Sequence, residues 1–277
     1  RFGPDFLEPL GRIPAGTAFG WLLVFGVGVL GQPQMLHKFF MIRRPQQLAF
    51  LPLALGAAQG LCLLVWIGLG IAVPALVAAG RLAAPGSADG AAPAYLLTIA
   101  PDWLAGLVLA GALAAIMSTA NSFLVLAGGA LVRDLPRGLG RRGAVGLLGP
   151  RLATLAVALA AALLAHLWDD LVALLGSLSF GLLAAALAPA VALGLCWERV
   201  RARAVEASIW TGLGVDLLLE VAHRLPGATG RWPPDGIPAP AVALLASFAV
   251  LLGVTWVGER PVGGTSDLDL GPGRRLG

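Results

Sequence analysis

Seven apolar stretches, near residues 17–36, 48–79, 103–132, 147–167, 171–197, 204–222 and 239–258, decide what this chain can fold into. Each is long enough to cross about 30 Å of hydrocarbon, which takes roughly 20 helical residues. Backbone in hydrocarbon must satisfy its own hydrogen bonds, so the stretches are predicted to be helices and the fold all-α. The composition agrees: 58% of the chain is hydrophobic, 12% is charged, and the mean hydropathy is +0.85. A water-soluble chain carries about 25% charged residues and could not solvate this much apolar surface. The sequence therefore predicts a polytopic membrane protein. The second and third stretches exceed a perpendicular crossing, which predicts tilt, kinks or interfacial extensions.

Basic residues set the orientation. With alternating passes, one side of the membrane receives Lys38, Arg43, Arg44, Arg133, Arg137, Arg141, Arg142, Arg151, Arg199, Arg201, Arg203, Arg260, Arg274 and Arg275. The other side receives Arg1, Arg12, Arg81, Arg224 and Arg231. That imbalance is a positive-inside signal and places the C-terminus in the cytoplasm, in an inner (plasma) membrane. It also accounts for the high pI of about 10.0. No basic run interleaves with aromatics as in a nucleic-acid-binding module, so no nucleic-acid partner is expected.

Seven spans then place the N-terminus outside. The chain opens at Arg1 without a Met or a signal peptide, and residues 1–16 read as a Pro/Gly-rich interhelical loop. This predicts the C-terminal part of a longer multi-pass protein. The two cysteines, Cys62 and Cys196, fall in predicted spans and read as small core residues.

The first span has a weak point. Phe25-Gly26-Val27-Gly28-Val29-Leu30-Gly31-Gln32-Pro33-Gln34 places three glycines and a proline within a few residues. Each Gly costs a helix about 1 kcal/mol and Pro about 3 kcal/mol. Pro33 also withholds a backbone donor from the turn before it. Two outcomes fit: a proline kink, or an interrupted helix of the kind that builds binding sites in secondary transporters. Gln32 and Gln34 either bond the freed backbone or face a ligand.

A second polar feature lies in the third span: Ala114-Ala115-Ile116-Met117-Ser118-Thr119-Ala120-Asn121-Ser122. Unsatisfied polar groups at membrane depth cost roughly several kcal/mol each. Another helix, water or a cation must face these oxygens, or the hydroxyls bond back to carbonyls four residues earlier. Asp216 and Glu220, four apart on one face of the sixth span, are the remaining intramembrane carboxylates considered. Intramembrane carboxylates are functional candidates by default, which makes a role in ion movement one reading; snorkelling, or pairing with Arg224, is the ordinary one.

Three segments resemble a known family. Gly31-Gln32-Pro33-Gln34, followed by Phe39-Phe40-Met41-Ile42-Arg43, resembles the Gly-Gln-Pro-His…Arg-Phe-Met-Ala signature of the sodium:solute symporter family. Ala114 to Ser122, with Asp134-Leu135 downstream, resembles its Ala-Ala-x-Met-Ser-Thr-x-x-Ser segment. Pro189 through Cys196-Trp197-Glu198-Arg199, then Ala204 to Gly212, resembles its Gly-Pro…Trp-x-Arg…Gly-Ala…Gly stretch. The matches occur in the family's order, and their texture is nearest the sodium/proline branch.

The resemblance implies a leucine-transporter-like fold of two inverted five-helix repeats. This chain would supply core helices six to ten plus two trailing helices, and the first repeat would be missing. Residues 1–16 would then be an extracellular loop and 17–197 the second-repeat core of five spans. Residues 198–258 would be two accessory spans, and 259–277 a disordered cytoplasmic tail. The implied activity is sodium-coupled symport of a small organic solute, an amino acid such as proline or a carboxylate, by alternating access. Carried over residue by residue, the sodium ligands are the Ala115 carbonyl and the Ser118 and Thr119 hydroxyls, with Asn121 and Ser122 accessory. Phe25, Val29, Gln32 and Pro33 would meet the solute. Proline-type members carry Trp and Tyr at the positions of Phe25 and Val29, so this chain lacks a hydroxyl of that pattern. The expected partners are the solute, the bilayer and the N-terminal half of the same protein.

Another class keeps the architecture and changes the role: a transporter-like membrane module that serves as the sensor of a histidine kinase. The short Gly-rich tail, Glu259 to Gly277, carries no kinase domain. An enzyme is not expected. The chain has no His-Glu-x-x-His or Gly-x-Ser-x-Gly, and no paired carboxylates in opposing core helices.

Overall fold

The computed structural model describes residues 13–257 apart from 40, 43, 45, 88, 141–145, 147, 168–171 and 225–235. The expected loop 1–16 and tail 259–277 therefore lie largely or wholly outside the described residues. Among the described residues the chain is helical, without strands. In order, the helices are α1 (Ala15–Gly26), a 3-10 turn (Gly28–Gly31), α2 (Pro33–Phe39), α3 (Gln47–Ala78), α4 (Ala91–Ile99) and α5 (Asp102–Gly129). There follow a π turn (Ala130–Asp134), α6 (Leu135–Gly138), α7 (Leu148–Leu167), α8 (Val172–Gly194), α9 (Ala202–Arg224) and α10 (Ala239–Val257).

Among the described residues four helical stretches are long and apolar enough to cross a membrane: Leu48–Ala78, Asp102–Gly138, Leu148–His166 and Ala239–Val257. Ala15–Gly26 and Leu178–Gly194 are apolar but shorter. The sixth predicted span is a helix of 23 residues, α9, but it is not among the apolar set. Arg203, Glu206, Asp216 and Glu220 lower its hydropathy. α3, with 32 residues, is about 48 Å long, well beyond the hydrocarbon thickness, and carries Pro52 and Pro74 within it.

The helices form two compact units. One comprises residues 37–174, the other residues up to 36 together with those from 175 onward. In the first unit, side chains of α3, α5 and α7 are mostly exposed, including Leu61, Trp66, Met117 and Leu159. So much apolar exposure requires hydrocarbon or further helices around it. The closest approach there is between α5 and α7, where a Cβ on Gly128 would lie 2.5 Å from Thr154 Oγ1.

The second unit has a dry core built from small residues. Ala185, Ala188, Ala243 and Leu244 are fully buried, and so are Val24 and Ala184. α8 lies at its centre. Gly28 packs on Ala184, Gly31 on the backbone of Ala188, Gly181 on Pro240 and Gly212 on the Ala185 carbonyl. At Gly31 a methyl group would lie 2.6 Å from the Ala188 nitrogen, a backbone atom that cannot swing aside. Small residues let helix backbones touch, which replaces the hydrophobic drive that lipid does not supply. α9 and α10 are joined by Ser208 and Ser247. Ser247 Oγ donates to the Ser208 carbonyl at 2.9 Å, and the hydroxyls lie 2.9 Å apart. Ser247 has one proton, so the Ser208 hydroxyl is the donor between the two side chains.

Cys62 and Cys196 are free thiols and exposed, contrary to their expected place in a core. Cys62 lies on the exposed surface of α3, and Cys196 lies in the turn after α8.

Candidate functional site

The first span is interrupted rather than kinked. α1 stops at Gly26, and the chain tightens into a 3-10 turn over Gly28–Gly31. It then passes through Gln32 in extended geometry, with φ −84° and ψ 106°. Pro33 accounts for that geometry, because its ring pushes the residue before it out of the helical region. Pro33 then opens α2, at a position where its missing N–H costs nothing. The Gln32 carbonyl starts the new helix by accepting from Met35 N and Leu36 N at 3.0 and 3.1 Å.

A polar ladder secures the break. Gln32 is fully buried, and its Nε2 donates to the Phe180 carbonyl of α8 at 3.0 Å. Gln34 Nε2 donates in turn to Gln32 Oε1 at 3.1 Å. Gln34 Oε1 is buried and has no hydrogen-bond partner among the described residues. Of the two outcomes left open for these glutamines, hydrogen bonding to backbone describes Gln32, although its carbonyl belongs to a distant helix. Pro33 is partly buried beside it.

An aromatic row flanks the ladder. Trp21 and Phe25 stack with ring centroids 5.4 Å apart, and Phe25 meets Phe180 at 5.0 Å. Phe25 is still 50% exposed and Val29 37% exposed, so both present apolar surface beside the break. Phe180 thus serves the site twice, through its ring and through its carbonyl. Sequence reasoning missed it, although Trp21 and Phe25 at i, i+4 were a visible half of the row.

The third-span candidates lie in the other unit, on α5. Ala115, Ser118, Thr119 and Asn121 are exposed. Thr119 Oγ1 donates to the Ala115 carbonyl at 3.1 Å, and Ser122 Oγ to the Ser118 carbonyl at 3.0 Å. These are the back-bonds expected of hydroxyls in an apolar helix. They use the hydroxyl protons of Thr119 and Ser122, whose oxygens keep lone pairs, and they give the Ala115 carbonyl an acceptor bond beyond its helical one. The donor set is all oxygen and uncharged. Among the described residues no group of three or more His, Cys, Asp or Glu could hold a metal ion. Neutral oxygen ligands fit a hard monovalent cation that must also be released.

A separate cleft of about 690 Å³ in the same unit is lined by Cys62, Trp66, Leu69, Tyr95, Leu96 and Val108 among others. Its walls are almost wholly apolar, so it has little with which to orient a polar solute.

Asp216 departs from its expectation. It is fully buried, and neither carboxylate oxygen has a hydrogen-bond partner among the described residues. It does not snorkel, and the expected pair with Arg224 falls on a side chain outside the described residues.

Comparison with known proteins gives two matches. Residues 5–212 match the sodium:solute symporter family. A protein of Cupriavidus necator described as an uncharacterized symporter is 31% identical over 170 residues. That alignment covers 58% of this chain and 25% of the relative, so the matched part spans about a quarter of that protein. No solved structure matches.

Proposed function

The chain belongs to the sodium:solute symporter family, and from that premise we propose that it carries part of the machinery for sodium-coupled uptake of a small organic solute by alternating access. The family indicates a transporter rather than an enzyme, and the apolar helices indicate a multi-pass membrane protein. The observation within the chain that supports the reading best is the interruption at residues 27–32, held by Gln32 on the Phe180 carbonyl. Irregular backbone at membrane depth is tolerated where it lines a cavity or is buried in protein, and transporters use such breaks as binding sites.

In this reading Phe25 and Val29 offer the solute an apolar surface. Gln32 and Pro33 fix the break from which backbone groups can address its polar end. The Ala115 carbonyl and the Ser118 and Thr119 hydroxyls contribute sodium ligands from α5, with Asn121 and Ser122 beside them. Given the length of the relative, the remaining ligands are assigned to helices beyond these 277 residues. The solute class is an amino acid or a small carboxylate. The absence of a Tyr hydroxyl at Val29 argues against a strict copy of the proline-type site. The basic residues favour an inner (plasma) membrane with a cytoplasmic C-terminus.

The test uses the full-length protein that carries this chain, reconstituted in liposomes. An inward sodium gradient should drive accumulation of one member of a panel of labelled amino acids and small carboxylates. Replacement of sodium by choline should abolish it. Equal uptake in choline would overturn the proposal.

A further inference from the structure

The buried carboxylate of Asp216 is not used by any role given so far. It belongs to a stripe on α9, Ala204, Ser208, Gly212 and Asp216, in which each member is buried and four residues from the next. Ser208 is satisfied by Ser247, whereas both oxygens of Asp216 lack a hydrogen-bond partner among the described residues. An ionised carboxylate buried among apolar helices is among the costliest groups to place inside a protein, and a bound cation would meet its charge.

Among the described residues the packed helices supply no such cation. α9 is packed by α8 and α10, and neither contains a single ionisable residue. The nearest acidic residue on α9 itself is Glu220, one turn further along the same face, which adds negative charge. The basic residues of that helix with described side chains are at its other end, at Arg203. The start of α10 offers little relief. The register that joins Ser208 to Ser247 places Asp216 opposite Ala239 in an antiparallel pair. There Pro240 has no N–H, and Ala241 N and Val242 N are directed at the Pro238 carbonyl at 2.9 and 3.4 Å.

One oxygen is available. Pro189 within α8 provides no N–H to the carbonyl four residues earlier, which is that of Ala185. A Cβ at Gly212 would collide with that same carbonyl oxygen, so it projects into the notch left by the glycine. Side chains on a helix lean toward its N-terminus, over the turn before them. Asp216 therefore leans toward the notch at Gly212.

We propose that Asp216 and the Ala185 carbonyl form a binding site for a small monovalent cation, a proton or a sodium ion, at the crossing of α8 and α9. With a proton, taken from bulk water, one carboxyl oxygen gains an O–H bond and donates it to the Ala185 carbonyl. With sodium, both carboxylate oxygens and the carbonyl coordinate the ion. Either way the net charge of the crossing depends on occupancy. The site is separate from the α5 oxygens and does not rest on their assignment.

Infrared spectra of the full-length protein in lipid, wild type minus Asp216→Asn, test this. Spectra are recorded in sodium and in choline at one pH. A protonated-carboxyl band present in both salts identifies the proton. A carboxylate band that shifts when choline replaces sodium identifies sodium. A carboxylate band indifferent to the cation would overturn the proposal. Asn reproduces the shape of a neutralised Asp, so Asp216→Asn should melt within a few degrees of wild type in detergent. Failure of that variant to fold would also count against the proposal.

Discussion

Gln32 donates its side-chain amide to the main-chain carbonyl of Phe180 at 3.0 Å, across 148 residues of sequence. The bond ties the interrupted first helix to α8 at the place where the interruption leaves backbone unsupported. Gln34 completes the ladder by donating to Gln32 Oε1 at 3.1 Å.

Replacement of Gln32 by Leu removes both bonds and leaves the Gln34 amide without its acceptor. The expected loss is about 1–3 kcal/mol, the usual cost of stranding a buried polar group. Thermal unfolding of the detergent-solubilised protein measures it. An unchanged midpoint would mean that the ladder does not hold the break.

Two glycines in the same segment should respond in opposite ways. A methyl at Gly31 meets the Ala188 nitrogen at 2.6 Å and the Leu183 carbonyl oxygen at 2.8 Å, whereas a methyl at Gly26 meets nothing within 4 Å. Gly31→Ala should destabilise by roughly 1–3 kcal/mol or more through overpacking. Gly26→Ala should be neutral or slightly stabilising, since Ala favours the helix end that Gly26 occupies. Denaturation of the two variants side by side is the measurement, and equal effects would contradict the packing of the broken segment on α8.

Ser208 and Ser247 should be coupled. Each single Ala variant strands part of a buried pair that is bonded at 2.9 Å. A double-mutant cycle should give a coupling of about 0.6–1.5 kcal/mol, the range found for hydrogen bonds between membrane helices. Additive effects would show that α9 and α10 do not rely on this contact.

Thiol labelling reads the orientation. Cys196 sits in an exposed turn after α8, beside the basic Arg199, Arg201 and Arg203. A membrane-impermeant maleimide should label it in inside-out vesicles and not in right-side-out ones, with the modified peptide identified by mass spectrometry. Cys62, midway along α3, should resist the reagent in both. The opposite pattern at Cys196 would reverse the topology.

Local chemistry was legible in the sequence and long-range pairing was not. The break could be read because Gly26, Gly28, Gly31 and Pro33 act on their own backbone, whatever surrounds them. The apolar lengths likewise revealed helices, since hydrocarbon admits little else. The partner of Gln32 could not be read, because nothing near Phe180 marks its carbonyl as an acceptor. Nor could the buried face of a helix such as α3, which is apolar all round and so lacks the periodicity that points to a core. Asp216 was misjudged for a related reason. Its helix was expected to lie outside the core, which suggested snorkelling or an ion pair, and only the packing of α8 and α10 reveals its burial. For Ser118 and Thr119 the sequence offered two readings; Thr119 makes the back-bond, and its oxygen keeps a lone pair that the other reading could use.

The claim that α5 supplies sodium ligands is tested most directly by sodium activation of uptake in the full-length protein. Ser118→Ala and Thr119→Ala are compared with wild type in proteoliposomes across a sodium series at fixed solute. Loss of one oxygen ligand should cost about 1.5–3 kcal/mol, which raises the sodium concentration for half-maximal uptake roughly ten- to a hundredfold. Sodium activation identical to wild type in both variants would contradict the assignment.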